Sequence, residues 1–297
     1  MRRILVTGRG GQVATGLAAA LPARGFEPIL VGQPEFELAQ PESIAAAFAE
    51  ARPDAVVNCA AWTAVDAAEE EEPAAFCANA LGPARIAALC AQAGGVPLIH
   101  LSTDYVFDGH KGAPYTEEDA PNPLGAYGRT KLAGEWAVLS GTERVTVLRT
   151  AWVHAPMGRN FVRTMLAAGA QRPELRVVAD QRGCPTAAPD LADAIAAVLA
   201  RLRETGWRPD YRGVFHAAGA GETTWHGFAE AIFEAAAPFG GPRPKVVPIA
   251  TSEYPTRAVR PADGRLDCAK LERVFGVRLP HWREGLERVI RGLHGAG

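Results

Sequence analysis

The sequence predicts an α/β protein built on a doubly wound parallel sheet. Three observations predict it. Short β-branched runs alternate with longer Ala-rich runs through the first 150 residues, several short runs are apolar throughout, and a Gly-rich string follows the first of them. Strands covered by helices on both faces read as continuous apolar runs rather than alternating ones. Repeated strand-then-helix order with short connections is the pattern of a sheet wound on both sides.

The expected strands are Ile4–Thr7, Pro28–Val31, Ala55–Asn58, Leu98–Ser102 and Val145–Arg149. Helices are expected between them at Gln12–Arg24, Pro41–Ala51, Pro73–Ala93 and Gly125–Ser140. After about residue 150 the alternation loosens. Helices are expected at Asn160–Gly169, Pro189–Glu204, Trp225–Ala235 and Trp282–Gly292, and a strand at Gly213–Ala217 should rejoin the sheet. Phe239–Pro248 reads as a Pro/Gly-rich stretch and Tyr254–Asp263 as irregular chain. The acidic run Glu69–Glu72 reads as a solvated helix start, where negative side chains suit the dipole.

Composition narrows the function. A net charge of −2 carries no basic excess of the kind nucleic-acid binders show, so no nucleic-acid partner is expected. Five cysteines are scattered without a C-x-x-C pair or a histidine at metal spacing, which predicts reduced thiols, no metal centre and a cytoplasmic setting. Met1 leads directly into strand-like residues, so no signal peptide is expected. No run is read as reaching the roughly 20 apolar residues a membrane helix needs, and no membrane partner is expected.

Three elements carry chemistry. Thr7-Gly8-Arg9-Gly10-Gly11-Gln12-Val13-Ala14 joins the first strand to the first helix. Gly8 permits the tight turn, Gly11 the approach of a pyrophosphate, and Ala14 close helix–sheet packing, as in a Rossmann-type dinucleotide site. The diphosphate would rest on the helix N-terminus. The second strand ends Val31-Gly32-Gln33, without the acid that commonly takes a ribose 2′-hydroxyl, while Arg9 can pair with a 2′-phosphate. NADPH is therefore the expected cofactor, with NADH left open. Next, Tyr127 and Lys131 stand four apart on one helix, where both can address one site. A ketone accepting hydride needs a proton donor, and a nearby ammonium favours the phenolate and lowers the tyrosine pKa. Finally, Ser102-Thr103-Asp104 ends the fourth strand, at the edge where open α/β sheets bind ligands. Thr103 there can hydrogen-bond a substrate carbonyl, although a plain loop cap is the competing reading.

With these residues the chain resembles the extended short-chain dehydrogenase/reductases, and within them the dTDP-4-dehydrorhamnose reductase family. The resemblance also rests on Asn58–Asp66, Ser102–Gly109, Tyr127–Glu135, Arg149–Val153, Asp180–Thr186, Trp225 and Arg260-Pro261 before Leu266-Asp267. It implies Thr103, Tyr127 and Lys131 as catalytic residues. It implies cofactor contacts by Gly11, Gln12 and Val13, by Glu37 and Leu38 at the adenosine end, by Trp62, Thr63 and Ala64, and by Tyr127 and Lys131, the latter at the nicotinamide ribose. Thr103, Asp104 and Trp152 would meet the sugar, Trp152 with a flat face or else as core packing. Ala14 replaces a common Gly, Gly264 a frequent Ser, and the Trp62 position often carries another aromatic or His. The second-strand region is also shorter than in many relatives, which leaves Glu37 and Leu38 less well defined. Some relatives bind Mg2+ at a dimer interface, whose ligands have no evident counterpart here.

The expected fold is thus a Rossmann-type sheet domain, residues 1–150 plus about 180–218, with a smaller C-terminal substrate domain, about 151–179 plus 219–297. The implied reaction is reduction of the C4 ketone of a dTDP-keto-sugar, dTDP-4-dehydro-L-rhamnose. A different dTDP-4-keto-deoxyhexose, and a non-catalytic NADP-binding regulatory subunit, stay open as other readings, as does a homodimer.

Overall fold

The structure, a computed structural model, describes residues 1–295. The chain leaves β1 (Arg3–Thr7), turns through the glycines and enters α1 (Gln12–Ala23). There follow β2 (Glu27–Val31), α2 (Pro41–Ala51), β3 (Ala55–Asn58), the one-turn α3 (Val65–Ala68), α4 (Glu72–Phe76), α5 (Gly82–Gln92), β4 (Leu98–Thr103), α6 (Ala126–Gly141) and β5 (Val145–Thr150). The later chain forms β6 (Val153–His154), α7 (Phe161–Gly169), β7 (Glu174–Val178), β8 (Arg182–Gly183), β9 (Thr186–Ala187), α8 (Ala188–Thr205) and β10 (Gly213–His216). It ends with β11 (Thr223–Thr224), α9 (Trp225–Ala236), β12 (Lys245–Ile249), α10 (Ala269–Phe275) and α11 (Trp282–Leu293).

Six strands pair in the order β10-β5-β4-β3-β1-β2, every pair parallel. The apolar runs are explained by two core layers. Ile4 and Val6 of β1 face a layer built with α1 and α8, whereas Leu5 between them faces the layer with α2 and α5. α1 and α8 approach closely at Gly16, where a Cβ would lie 2.9 Å from the Ala192 Cβ. The packing role expected of Ala14 thus falls largely to Gly16, although Ala14 is itself fully buried.

Four expectations need correction. First, the helix expected over Pro73–Ala93 is one continuous run with a π-turn at Cys77–Leu81 between α4 and α5. Such turns displace side chains and recur at functional sites; here Asn79 is buried and Leu81 exposed. Second, that run, Glu72–Gln92, is 21 residues long and contains an 18-residue stretch with mean hydropathy 1.4, long and apolar enough to cross a membrane by length and composition. Its residues Ile86, Ala87 and Cys90 instead pack into the core layer under the sheet. Third, a strand arises inside the Pro/Gly-rich stretch: β12 pairs in parallel with β7. A two-stranded sheet leaves each strand an edge, where Pro248 is tolerated. Fourth, the acidic run is not simply solvated. The Glu69 carboxylate accepts the Ala126 N–H at 2.7 Å and Glu72 takes both arms of Arg129, so the run fastens the start of α6.

α6 also packs closely on the π-turn. A Cβ on Gly134 would sit 2.0 Å from the Asn79 carbonyl oxygen. Gly134→Ala gains helix propensity of about 1 kcal/mol, yet the clash should outweigh it by overpacking, at about 1–3 kcal/mol. Thermal unfolding should show a lower Tm; a higher one would mean the approach is looser than described.

Candidate active site

α6 begins at the carboxyl edge of the sheet, which brings Tyr127 in its first turn beside the end of β4. Close approach is required there too, since a Cβ on Gly128 would lie 2.2 Å from the Tyr105 carbonyl. The Thr103 hydroxyl lies near enough to the Tyr127 phenol to favour its ionised form. That hydroxyl also donates to Asp104 Oδ1 at 3.0 Å and accepts the Tyr105 N–H at 3.2 Å. Thr103 therefore does cap a loop, and faces the phenol as well. Lys131, one turn along α6, is buried and its ammonium donates to the Leu101 carbonyl at 2.6 Å.

The electrostatics differ from the simple expectation. Burial pushes the Tyr127 phenol up to about 12, with Asp104 adding to the rise and the Thr103 hydroxyl opposing it. Lys131 is not among the groups that shift the phenol; burial lowers its own ammonium to about 8 against the opposing pull of Glu135. Burial likewise raises the Asp104 carboxyl to about 7, opposed by the Thr103 hydrogen bond.

Beneath these groups lies a buried ion pair that sequence reading missed. Glu135, one turn beyond Lys131, receives Arg149 Nε at 2.8 Å and Nη2 at 2.6 Å, and also the Ser102 hydroxyl. A second buried chain ties the strand ends: Thr7 donates to Asn58, and Asn58 meets His100 Nδ1 at 2.9 Å. Both sets are ordinary polar residues in a sequence and gain meaning only when strands are paired.

The dinucleotide loop has the shape such a ligand requires. Gly8 has φ +86°, and a Cβ there would press on the Ala60 backbone at 3.0 Å; a Cβ on Gly11 would meet the Gly8 carbonyl at 2.9 Å. No side chain caps α1, so the N–H groups at Gln12 and Val13 point into the cradle formed by the turn. Gln12 is steadied from across the molecule by Asn160, whose amide donates to it at 2.9 Å. Arg9 lies over Gly32 at the end of β2, where it pairs with Glu35 and donates to the Gln33 carbonyl at 3.1 Å. Glu37 is half-buried and accepts from Gln40, while the Leu38 side chain packs in the core against Gly82. Trp62, Thr63 and Ala64 form the loop after β3, clamped by Asn79 through Trp62 N–H at 2.8 Å and Trp62 carbonyl at 3.1 Å. Asn79 also donates to Thr130 at 3.1 Å and so joins this loop to α6.

A narrow crevice opens beside Thr103, lined by Asp104, Trp152 and Gly264 and by Arg182, Trp225 and Arg260. Trp152 holds φ +48°, a strained value for a bulky residue. One face of its indole is stacked on Trp225 at 3.5 Å, and a Cβ on Gly183 would collide with its ring at 2.4 Å. A freely presented flat face is thus not what the structure shows. The absence of a side chain at Gly264 leaves room for the Asp104 carboxylate, which a Cβ there would approach to 2.6 Å. Arg260, buried about half, is held by Asp66 on α3 at 2.8 Å and 3.2 Å. Arg260-Pro261 and Asp66, the last residue of the Asn58–Asp66 segment, were both singled out in the sequence, but not as partners.

A parallel sheet with a glycine cradle after β1 and a Thr, Tyr and Lys converging at the end of β4 defines an extended short-chain dehydrogenase/reductase, an oxidoreductase. Residues 1–294 match the family described as RmlD substrate binding domain. A dTDP-4-dehydrorhamnose reductase of Sinorhizobium fredii is 46% identical over 98% of this chain and 97% of its own. The crystal structure of a dTDP-4-dehydrorhamnose reductase from Clostridium acetobutylicum superposes with a TM-score of 0.90 at 36% identity, covering 99% of this chain and 100% of that one. A Bacillus anthracis dTDP-4-dehydrorhamnose reductase, solved in complex with NADP, gives 0.88 at 31% identity, covering 98% and 100%. The chain belongs to the dTDP-4-dehydrorhamnose reductase family.

Asp104 offers a test of the site's electrostatics. Its folded pKa lies above the ordinary 3.8, so the native state holds this proton more tightly than the unfolded chain. Its contribution to stability is therefore lost as pH rises towards the folded value. Asp104→Asn should gain Tm relative to wild type as pH rises from about 5 to about 8. A constant difference across that range would place the carboxylate in a wetter environment.

Proposed function

We propose that this protein reduces the C4 ketone of dTDP-4-dehydro-L-rhamnose to the alcohol of dTDP-L-rhamnose, with NADPH as reductant. The observation that carries the reading is the meeting of Thr103, Tyr127 and Lys131 at one point of the sheet edge, within a family of such reductases. The cofactor, when bound, supplies the hydride. Gly8, Gly11, Gln12 and Val13 would hold its diphosphate, with Trp62, Thr63 and Ala64 along the nicotinamide half. Glu37 and the backbone of Leu38 would meet the adenosine, since the Leu38 side chain is committed to the core.

Tyr127 donates the proton to the carbonyl oxygen as negative charge develops there. A phenol near 12 keeps its proton throughout the physiological range, so the proton is in place and its release depends on stabilising the phenolate once cofactor and substrate are bound. Thr103 hydrogen-bonds the same oxygen and orients it, and the Lys131 ammonium stabilises the phenolate left behind. Asp104 and Trp152 would face the sugar, with Arg182 and Arg260 near enough to offer charge to a diphosphate. We assign residues 1–150 plus about 180–218 to the cofactor unit, and about 151–179 plus 219–297 to the sugar unit. All five cysteines are free thiols, in keeping with a reducing cytoplasm.

Arg9 favours NADPH through its 2′-phosphate, and the paired Glu35 keeps the guanidinium in place at the end of β2. Arg9→Glu should raise the NADPH KM sharply while leaving that for NADH nearly unchanged; equal effects on both would remove the 2′-phosphate contact. Tyr127→Phe should lower kcat by about 10²–10⁴ with sugar KM little altered. Retention of most of the activity would sink the proton-donor role. The charge on Lys131 is present below its pKa and lost above it, so kcat should fall as pH rises through about 8. An unchanged kcat to well beyond that pH would mean that the ammonium is not needed.

A further inference from the structure

Asp104 is buried at the end of β4 and lines the crevice, yet among the described residues it takes part in no ion pair. The cations around it hold other carboxylates: Arg260 pairs with Asp66, Arg182 with Glu222, and Arg265 with Asp263 and Glu222. The other titratable groups facing it are Tyr105 beside it, Tyr127 on α6 and Cys184 after β8. Burial raises all three, so they keep their protons at neutral pH. A buried carboxylate with no cation to pair with is costly, and burial favours its neutral form. Gly264 makes room for the group, since a Cβ there would approach Asp104 Oδ2 to 2.6 Å. Its backbone is not left-handed, so space rather than conformation calls for glycine at that position.

The side-chain partner of Asp104 is the Thr103 hydroxyl, at 3.0 Å. A hydroxyl has one proton to give and two lone pairs to offer. In Thr103 one lone pair takes the Tyr105 N–H at 3.2 Å. An ionised Asp104 only accepts, and it claims the single Thr103 proton. Nothing is then left to donate to a ketone oxygen. A protonated Asp104 donates into the second lone pair of Thr103, and the direction of the bond reverses. The Thr103 proton is thereby free for the carbonyl oxygen beside Tyr127.

We propose that Asp104 acts in its protonated form, as a positioning residue that makes the Thr103 hydroxyl a donor to the substrate ketone. The inference rests on the ketone-reduction reading above and adds to it the state of the group next to Thr103. Asp104 keeps its proton throughout. The proton that reaches the oxygen comes from Tyr127, and Thr103 shares its own without giving it up. Because burial raises the Asp104 carboxyl to about 7, the donor arrangement holds below that pH and fails above it.

The test is the pH dependence of kcat/KM, which reports the groups of the free protein, for keto-sugar reduction by full-length wild type and Asp104→Asn. The Asn amide can donate to Thr103 at every pH, as the carboxyl does only while protonated. In wild type, kcat/KM should be about tenfold lower at about pH 8 than at about pH 6. In Asp104→Asn the fall, relative to its own value at the lower pH, should be only about twofold, the share left to Lys131. Infrared difference spectra between the same pH values should show a carboxylic-acid carbonyl band that wild type loses on raising the pH and Asp104→Asn lacks. That measurement needs no turnover. A wild-type kcat/KM that rises with pH, an equal fall in both proteins, or absence of the band would overturn the proposal. No reduction of the keto-sugar by wild type, with the band present, would instead overturn the reading on which it rests.

Discussion

The site depends on the buried pair of Glu135 and Arg149. Their side chains are 1% and 3% exposed, and the guanidinium meets the carboxylate through two hydrogen bonds. Glu135 belongs to α6, Arg149 to β5, and the Ser102 hydroxyl on the same carboxylate belongs to β4. One charge cluster thus fixes the helix that carries Tyr127 and Lys131 against the two strands that end in Thr103 and Thr150. Removing one partner would leave the other charge buried without compensation, at a cost of about 3–5 kcal/mol.

Around this pin the chain brings backbones together where side chains would keep them apart. Gly128 admits the Tyr105 carbonyl and Gly134 the Asn79 carbonyl, so α6 sits low on its neighbours. Asn79 in turn fixes the loop after β3, and with it one wall of the dinucleotide site. The strain at Trp152 is held by the same means, between Trp225 and a side-chain-free Gly183. Dry surroundings then shift the acid–base groups in the direction burial dictates. The phenol and the Asp104 carboxyl hold their protons more tightly, and the Lys131 ammonium less so.

Much of this was legible in the sequence because it is local. The glycine turn, the Tyr127/Lys131 spacing and the apolar strands are each set by a few consecutive residues, and β10 was expected to return to the sheet. What escaped was what only tertiary pairing creates. Glu135, Arg149 and Ser102 lie in segments the sequence singles out, but their mutual pairing shows only when three elements meet, and Asn79 is displaced inward by a π-turn that an Ala-rich helix gives no sign of. The role of Glu69 in capping α6 depends on a partner 57 residues away. The stacking of Trp152 on Trp225 could not be read from two tryptophans so far apart in the chain.

The central claim is that the geometry at the end of β4 serves net reduction, with hydride passing to the sugar and the proton coming from Tyr127. The measurement that tests it most directly follows deuterium from NADPH labelled at the transferring position into the sugar product. Incubated with dTDP-4-dehydro-L-rhamnose, the protein should consume one labelled NADPH per product and place deuterium on C4 of dTDP-L-rhamnose. Cofactor oxidation without label at C4, or turnover of the sugar without net loss of NADPH, would contradict the account.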